Sequence, residues 1–405
     1  MDTAAEATLL PADIDAQPLV QAAAAFRPEL MRRHDEIERA ARVPDDLIER
    51  LRGAGFYRLT IPRALGGLQV DPLTYLRVVE CLAEGAASVG WNVANNGLIQ
   101  LITLGFPDAG VTEMHGDGPK TVAGTAVRGA GRAVPVAGGY RVTGRWSFGS
   151  GCHECAWMLG SFQIFDDGNP RRAPDGGALH WRGVFARSEV EILPGTWEVS
   201  GVRGTGSFDW AVDDVFVPER RTMPLVGAQI ENEWLRWPGV TYALPSHAWL
   251  GPHHSAVVTG VARAGIDALI ELAGDKTPRG RTGLLRDNPQ VQDAIGRADA
   301  ILDAGRVHRS ATIAELWNTV AAGKPTTHAQ RARCRLAGAY ATDSARQAMD
   351  LMYRHGGSTS FRTETRLAAC WRDLHVVAQS GTVAPELYPL GGQVYLGMDP
   401  GPRLP

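Results

Sequence analysis

The sequence predicts an α+β protein with helices towards both ends of the chain and a β-sheet or barrel between them. Up to about residue 120, charged and apolar residues recur at helical spacing. From there to about residue 225, glycines separate short runs of residues that are typical of strands. Beyond that point long helical patterns return, and helices of such length usually pack as a bundle. We therefore place three domains at residues 1–120, 121–225 and 226–405.

The N-terminal helices are predicted from charge spacing and from residues that favour helix ends. Residues 28–42 are strongly charged at helical spacing. Residues 44–46 place a proline and two acids where a helix start prefers them, and Gly53 closes this helix. A further helical pattern covers residues 72–85, and the small residues that dominate 86–97 indicate close packing.

The central strands and the C-terminal helices are predicted from changes in the spacing of apolar residues along the sequence. Strand-like runs occur at residues 140–143, 183–186 and 210–217, and the last of these alternates apolar and acidic residues. A helix is predicted after Asn288, with a proline in its first turn. Its apolar face is formed by Val291, Ile295, Ala298 and Leu302.

Composition and charge exclude several classes of protein. The 405 residues carry 41 basic and 44 acidic side chains, and the net charge of −3 argues against a nucleic-acid or anionic-membrane partner. The 5 cysteines are too few and too scattered for a disulfide scaffold, which favours a reducing compartment. The first ten residues lack the basic start of a secretory signal, and no stretch approaches the ~20 apolar residues that span a bilayer. We expect a cytoplasmic protein.

Short motifs for common cofactors and catalysts are missing or incomplete. Residues 204–207, Gly-Thr-Gly-Ser, lack the third glycine and the strand-to-helix setting of a dinucleotide fingerprint, and no P-loop is present. Residues 152–155, Cys-His-Glu-Cys, have no second Cys or His pair at zinc-like spacing, so we expect no metal site. No Gly-x-Ser-x-Gly elbow supports a serine hydrolase.

Longer patterns, taken in order, resemble the acyl-CoA dehydrogenase superfamily over nearly the whole chain. Residues 61–67 resemble its Pro-x-x-x-Gly-Gly loop, and residues 80–88 its Glu-x-x-Ala…Ser helix. Residues 195–219 resemble the closing strands of its barrel, while 354–357 and 372–373 match its C-terminal bundle. The resemblance implies an acyl-CoA dehydrogenase-like fold: an N-terminal helical domain, a central antiparallel β-barrel and a C-terminal bundle of four long helices. It also implies a homotetramer.

Two segments resemble the flavin-dependent monooxygenase branch of this superfamily. They are residues 88–91, Ser-Val-Gly-Trp, and residues 144–153, which continue to Trp157. The resemblance implies that the second segment lines the edge of a flavin. A reduced flavin that reacts with oxygen needs an apolar enclosure, neutral hydrogen-bond partners and no water. The residues that we expect to contact it are Trp91, Trp146, Phe148 and Ser150.

Each tryptophan in these segments has an alternative interpretation. Trp91, Trp146 and Trp157 are also interpretable as ordinary core residues, because tryptophan is highly buried on average. The sequence leaves both interpretations open.

No carboxylate occupies the position of the dehydrogenases' catalytic base. In those enzymes a glutamate commonly follows the Arg-Asp pair by a few residues, but residues 380–382 are Ser-Gly-Thr and no acid precedes Glu386. Acyl-CoA desaturation is therefore disfavoured. The monooxygenase branch often has a histidine at the position of Ser380, and its phenol hydroxylases have another where this chain has Ile99. Both family histidines are missing.

His253 and His254 are the candidates to replace them. An imidazole titrates near neutrality, and some dehydrogenases carry the base on the corresponding helix. His375 is turned by about 140° from Ser380 on a helix, so it is not expected to reach the same point. The alternative is that the two histidines cap a helix that begins near residue 251, so that alanine there lowers stability but not turnover. The catalytic candidates are Ser150, His253, His254 and Ser380.

The phosphate end of the flavin needs separate donors. By analogy with the family, these are Arg279, Arg281 and the turn formed by Gly356, Gly357 and Ser358. Guanidinium groups and backbone N–H groups at a glycine turn both suit phosphate. The alternative is that the two arginines are ordinary surface charges.

The resemblance and the missing carboxylate favour the oxygenase component of a two-component flavin-dependent monooxygenase. Reduced flavin, FMN or FAD, is expected to come from a separate flavin reductase. It is expected to react with oxygen to a C4a-hydroperoxide and to oxygenate a small-molecule substrate that is apolar or aromatic. Two alternatives are a dehydrogenase or oxidase with His253 as base, and a flavin-binding homologue that has lost catalysis.

Overall fold

A computed structural model shows helices at both ends of the chain and a mixed β-sheet between them. The residues that the structure describes are 10–116, 118, 121–124, 131–172, 176–177, 179–225, 236–245 and 247–399. The helices before the sheet are α1 (Pro18–Ala40), α2 (Asp45–Gly53), α3 (Pro72–Gly85), α4 (Ala87–Thr103) and α5 (Asp108–His115). The predicted N-terminal helical region is confirmed.

Local sequence determines where these helices begin and end. α3 begins at Pro72 because the side chain of Asp71 accepts hydrogen bonds from the next backbone N–H groups. Extended backbone at Ala86 separates α3 from α4. The charged residues at helical spacing from 28 onwards lie in α1, which begins ten residues earlier, at Pro18, and includes Pro28. The four alanines at residues 22–25 favour the helix upstream of it.

Within the described part of the chain, the sheet contains nine strands. They are β1 (Val122–Gly124), β2 (Gly131–Val136), β3 (Gly139–Trp146), β4 (Trp157–Asp166), β5 (Asn169–Pro170), β6 (His180–Ala186), β7 (Glu191–Ile192), β8 (Trp210–Pro218) and β9 (Thr222–Leu225). Along the main path the order is β7-β8-β3-β2-β4-β6-β9, and β1 and β5 pair with β4. The predicted strands at 140–143, 183–186 and 210–217 all lie in this sheet.

The sheet differs from the expected antiparallel barrel. β1 and β2 both pair with β4 in parallel, whereas the other pairings are antiparallel. The cause is the connection of residues 147–156, which crosses from β3 to the far side of β2 instead of forming a hairpin. Among the described residues the pairings run from β7 to β9 without closing into a barrel.

The C-terminal part is helical. Its elements are α6 (Val240–Ala243), α7 (His247–Asp275), α8 (Pro289–Ala321), α9 (His328–Gly356), α10 (Arg366–Val377) and α11 (Leu387–Tyr395). α7 packs against α8, α9 and α10, and α9 packs against α8 and α10, so these four helices form the bundle. The predicted helix after Asn288 is α8, and the Asn288 side chain caps it by accepting a hydrogen bond from Gln290 N–H.

Two apolar cores hold these layers together. One includes Trp146, Phe162, Phe185 and Trp210 between the strands, and the other joins the helices at both ends of the chain. α7 also packs on α3 and α4, which brings the start of the bundle against the N-terminal helices. Among the helices described here, none combines the length and the apolar character needed to cross a membrane.

Candidate active site

Four segments that are distant in the sequence meet where α4 faces the start of the bundle. Trp91 on α4 donates a hydrogen bond from Nε1 to Ser150 Oγ, at 3.0 Å, in the turn after β3. Trp91 also contacts α7, because the His254 ring stacks on it with ring centroids 4.4 Å apart and ring planes inclined by 11°. Three of the predicted residues are therefore in one cluster.

Ser380 joins this cluster from the segment that follows α10. Nδ1 of His254 lies 2.5 Å from Thr382 Oγ1 and 3.2 Å from Ser380 Oγ. The His253 ring is 4.1 Å from the His254 ring. His375 instead approaches Asp350 at 3.0 Å. Because α10 ends at Val377, Ser380 lies outside this helix and the expected rotation of about 140° does not extend to it. An imidazole from α7 thus lies beside Ser380, the position where the resemblance implies a histidine.

The structure does not support the capping alternative for the two histidines. α7 begins at His247, so His253 and His254 lie six and seven residues beyond its first residue rather than at its start. The glycine and proline at 251–252 suggested a helix start, but Pro252 is inside the helix.

A row of hydroxyl groups extends the cluster on the side of the sheet. Ser150 Oγ lies 2.7 Å from Ser207 Oγ, which lies 2.8 Å from Thr205 Oγ1, and Thr205 donates to Val202 O. Thr205, Ser207 and Thr382 were not predicted as site residues. Residues 204–207 were interpreted as an incomplete dinucleotide motif and as part of the closing strands, and nothing in their spacing indicates a contact with Ser150.

The cluster is uncharged around His254. Burial of the ring, together with the neighbouring His253, holds the pKa of His254 well below its usual range, so the ring is neutral at neutral pH. Nε2 of His254 is buried and has no hydrogen-bond partner among the described residues. Because Nδ1 already has hydroxyl partners, Nε2 is the ring nitrogen that is left without one among the described residues.

Phe148 presents an apolar surface next to Ser150. Its side chain is 62% exposed, and its backbone has a left-handed φ of 66°. Such a conformation is strained for a bulky residue and is typical of functional sites. A hydrogen bond from Gly149 N–H to Phe208 O, 2.9 Å long, helps to hold the turn in place.

Trp146 and Trp157 lie away from this cluster. Trp146 stacks on Trp210 at 4.2 Å and donates from Nε1 to Ser161 O, inside the core of the sheet. Trp157 is buried beneath the guanidinium of Arg221, which lies 4.9 Å from the ring centroid. Of the three tryptophans, only Trp91 contacts the other site candidates, and the core interpretation suits Trp146.

The predicted phosphate-binding residues lie at the far end of α7. Arg279 and Arg281 are exposed in the loop that follows it. Lys276 Nζ donates to Gly356 O at 2.7 Å, which connects this loop to the turn of Gly356, Gly357 and Ser358. At ~1.5 Å per helical residue, about 30 Å of α7 separates this region from His254. One chain therefore does not bring the two predicted groups of residues together.

The Cys-His-Glu-Cys run is a buried turn beside Ser150. Cys152 and Cys155 are free thiols. The carboxyl of Glu154 accepts a hydrogen bond from Val43 N–H at 3.3 Å. Burial raises the pKa of Glu154 to about 7. Among the described residues, no three His, Cys, Asp or Glu side chains are grouped so as to hold a metal ion.

The raised pKa of Glu154 predicts how stability changes with pH. An acid whose pKa is higher in the folded state stabilises the fold at low pH and loses that contribution as the pH rises towards its folded pKa. Between pH 5 and pH 8 we expect the wild type to lose about 2 kcal/mol of unfolding free energy relative to Glu154→Gln. Urea denaturation of both proteins across this range measures the difference. The exposed Glu364→Gln is the control, and parallel curves for wild type and Glu154→Gln would contradict the prediction.

Comparisons with known proteins agree with this architecture. The family model for the acyl-CoA dehydrogenase N-terminal domain matches residues 15–108, and the model for the C-terminal domain matches residues 253–383. The chain belongs to the acyl-CoA dehydrogenase superfamily, in the branch of the flavin-dependent monooxygenases. The predicted family is thereby confirmed.

Three relatives illustrate this branch. The pigment production hydroxylase of Rhodococcus erythropolis is 32% identical over 84% of this chain and 86% of its own. The oxygenase subunit HsaA of a flavin-dependent monooxygenase from Mycobacterium tuberculosis is 29% identical over 96% of this chain and 97% of its own. The crystal structure of 3-HSA hydroxylase from Rhodococcus sp. RHA1 superposes with a TM-score of 0.86 at 27% identity, covering 96% of this chain and 98% of that one.

Proposed function

We propose that the chain is the oxygenase component of a two-component flavin-dependent monooxygenase that acts on a small aromatic substrate. The observation that carries the proposal is the meeting of Trp91, Ser150, His254 and Ser380 in one uncharged cluster beside the exposed Phe148. The names of the relatives, a hydroxylase and a monooxygenase oxygenase subunit, support it.

The residues of the cluster fit a flavin ring. Phe148 offers an exposed apolar face, and Ser150 offers a neutral hydroxyl that already exchanges hydrogen bonds with Trp91 and Ser207. A reduced flavin bound there supplies the two electrons with which one atom of O₂ enters the substrate while the other leaves as water. A neutral, water-poor surrounding favours this chemistry over release of hydrogen peroxide.

In this proposal, a side chain of the protein accepts a proton from the substrate. With hydrogen on Nδ1, the His254 ring donates to the hydroxyl of Thr382 or Ser380, and this leaves a lone pair on the buried Nε2. We propose that Nε2 accepts the proton of a substrate hydroxyl or ring nitrogen. Ser380 and Thr382 orient the ring, and the stacked Trp91 covers one of its faces.

The cluster argues against acyl-CoA desaturation. The groups near His254 are the hydroxyls of Ser380 and Thr382, and Glu386, the next acid along the chain, is exposed. A base for this chemistry has to be placed within hydrogen-bond reach of the proton that it removes. We therefore expect that no acyl-CoA bleaches the flavin-loaded enzyme under anaerobic conditions.

We further propose that a neighbouring subunit of a homotetramer completes the cofactor site. About 30 Å of helix separates His254 from the turn of Gly356, Gly357 and Ser358. In our proposal Arg279, Arg281 and this turn hold the phosphate end of a flavin whose ring lies in another subunit. Light scattering gives the assembly mass, and affinities for reduced FMN and reduced FAD show which flavin is used.

An isotope experiment tests the proposed function. The purified chain is supplied with a flavin reductase, NADH, flavin and ¹⁸O₂, together with a panel of single-ring phenols and aromatic acids. We expect a product that contains one ¹⁸O atom. A product whose new oxygen atom comes only from water would contradict the proposal. So would transfer of all the electrons to hydrogen peroxide with every compound.

A further inference from the structure

We propose that Glu38 on α1 is a positioning residue that holds the Trp91 side and the Ser150 side of the site at their observed separation. The inference rests on the proposed function, because it assumes that this cluster binds reduced flavin. Glu38 acts through the backbone and side-chain groups that its carboxylate binds, and not by contact with the reacting molecules.

The carboxylate of Glu38 accepts three hydrogen bonds from two different segments. Ser88 donates from its hydroxyl to Oε1. Arg203 N–H donates to Oε2 at 2.6 Å, and Gly204 N–H donates to Oε1 at 3.2 Å. Hydrogen bonds to a charged acceptor are among the stronger ones in proteins.

Each of these segments leads directly to one side of the site. Ser88 lies three residues before Trp91, in the first turn of α4, so holding Ser88 holds the start of that helix. The turn at Gly204 continues into Thr205 and Ser207, where Ser207 Oγ lies 2.7 Å from Ser150 Oγ and Thr205 Oγ1 lies 2.8 Å from Ser207 Oγ. One carboxylate thus joins the two segments whose side chains meet in the 3.0 Å contact between Trp91 and Ser150.

The turn packs so closely on α1 that only glycine fits at residue 204. A Cβ atom there would lie 2.3 Å from Ile37 Cγ2 and 3.0 Å from Glu38 Oε1. Such contacts require the backbone to move. The position of the turn therefore depends on α1 itself.

A second acid supports the same turn from α10. Asp373 accepts a hydrogen bond from Val202 N–H at 2.8 Å and lies 3.4 Å from His34 Nε2. Three successive backbone N–H groups, those of residues 202–204, are therefore held by two carboxyl groups. A cleft of about 840 Å³ between α1, α7 and α10 is lined by His34 and Asp373, which gives solvent access to this side.

The surroundings of Glu38 make its charge sensitive to pH. Burial, together with the nearby Asp373, raises the pKa of Glu38 to about 7, against the opposing effects of Ser88 and His34. Burial of His34 opposes its protonation, but Asp373 outweighs this and raises the pKa of His34 to about 9. The charged side chains that act on Glu38 are His34 on α1 and Asp373 on α10, while the donors from α4 and the turn are the Ser88 hydroxyl and two backbone N–H groups.

The test compares Glu38→Ala, Glu38→Gln and Ser88→Ala with the control Glu36→Ala, which lies on the same helix and faces solvent with Arg33. The readouts are the dissociation constant of reduced flavin under anaerobic conditions and the ratio of product to hydrogen peroxide in air. We expect about tenfold weaker binding and a lower ratio for Glu38→Ala, a smaller change for Ser88→Ala and none for the control. If Glu38→Ala does not fold, the other two variants carry the test.

The pH profile separates positioning from general destabilisation. Below pH 7 the protonated Glu38 loses an acceptor, so we expect the wild type to bind reduced flavin more weakly there. Glu38→Gln keeps every other titratable group of the wild type. Its affinity for reduced flavin is therefore expected not to fall below pH 7. If folded Glu38→Ala keeps the affinity and the product ratio of the wild type, this inference is overturned but the proposed function is not. A wild type that binds no reduced flavin would overturn the proposed function as well.

Discussion

Replacing His254 with alanine is expected to reduce kcat/KM for product formation by a factor of about 10² to 10⁴. The reason is the placement of its ring, which is neutral, buried and oriented by Thr382 and Ser380, with Nε2 left without a partner among the described residues. The His254 ring is the imidazole that stacks on Trp91 among the described residues, and the ring of His253 lies 4.1 Å from it. Steady-state turnover per folded enzyme measures the effect.

Two controls make this result specific. His328→Ala removes an exposed imidazole at the start of α9 and is expected to leave turnover unchanged. Added imidazole is expected to restore part of the activity of His254→Ala, since the cavity left by the side chain admits it. Unchanged turnover in folded His254→Ala would show that the ring has only a structural role and would contradict the proposed mechanism.

Replacing Glu80 with alanine is expected to destabilise the fold by about 3 to 5 kcal/mol. Glu80 is buried on α3, accepts from Arg306 Nε at 2.7 Å and lies 3.7 Å from Arg309. Burial disfavours its ionised form, but Arg306, Arg309 and Arg77 outweigh this and hold the pKa of Glu80 at about 2. The substitution removes the carboxylate that Arg306 and Arg309 share at the junction of α3 with α8, while Glu84 still pairs with Arg77 and Arg306.

Urea denaturation at pH 7 measures this loss, and Glu315→Ala is the matched control. Glu315 pairs with Arg333 at 2.8 Å on the surface, where removal of an ion pair costs about 1 kcal/mol or less. Because the pKa of Glu80 is lower in the folded state, its contribution is complete above about pH 4.5 and declines as the pH falls towards 2. Equal stability of the two variants at pH 7 would contradict the prediction.

The fold was largely predictable because its elements carry local signals. Asp71 and Pro72 mark the start of α3, and Asn288 with Pro289 marks the start of α8; in both cases the capping group is next to the helix that it caps. The parallel pairing of β2 with β4 was not predictable in this way. It depends on the path of residues 147–156 across the sheet, and no strand pattern encodes the direction of its neighbour.

The candidate site was predictable only in part. The segment after β3 and the two histidines of α7 were identified, but the choice between His253 and His254 depends on which side of the helix faces Trp91. Thr205 and Ser207 were missed because they reach Ser150 across more than fifty residues of chain. Trp146 was assigned to the flavin together with Phe148 and Ser150, but β3 ends at Trp146 and the left-handed backbone at Phe148 turns the chain, so the three side chains do not share one strand face. The Trp146 side chain packs into the core of the sheet.

The most direct test of the central claim is a crystal structure of the protein grown with reduced flavin in the absence of oxygen. We expect the flavin ring to lie against Phe148 and within hydrogen-bond distance of Ser150 Oγ, with Nε2 of His254 facing the space beside the ring. A flavin bound elsewhere, with the Trp91–Ser150 contact unchanged at 3.0 Å, would contradict it.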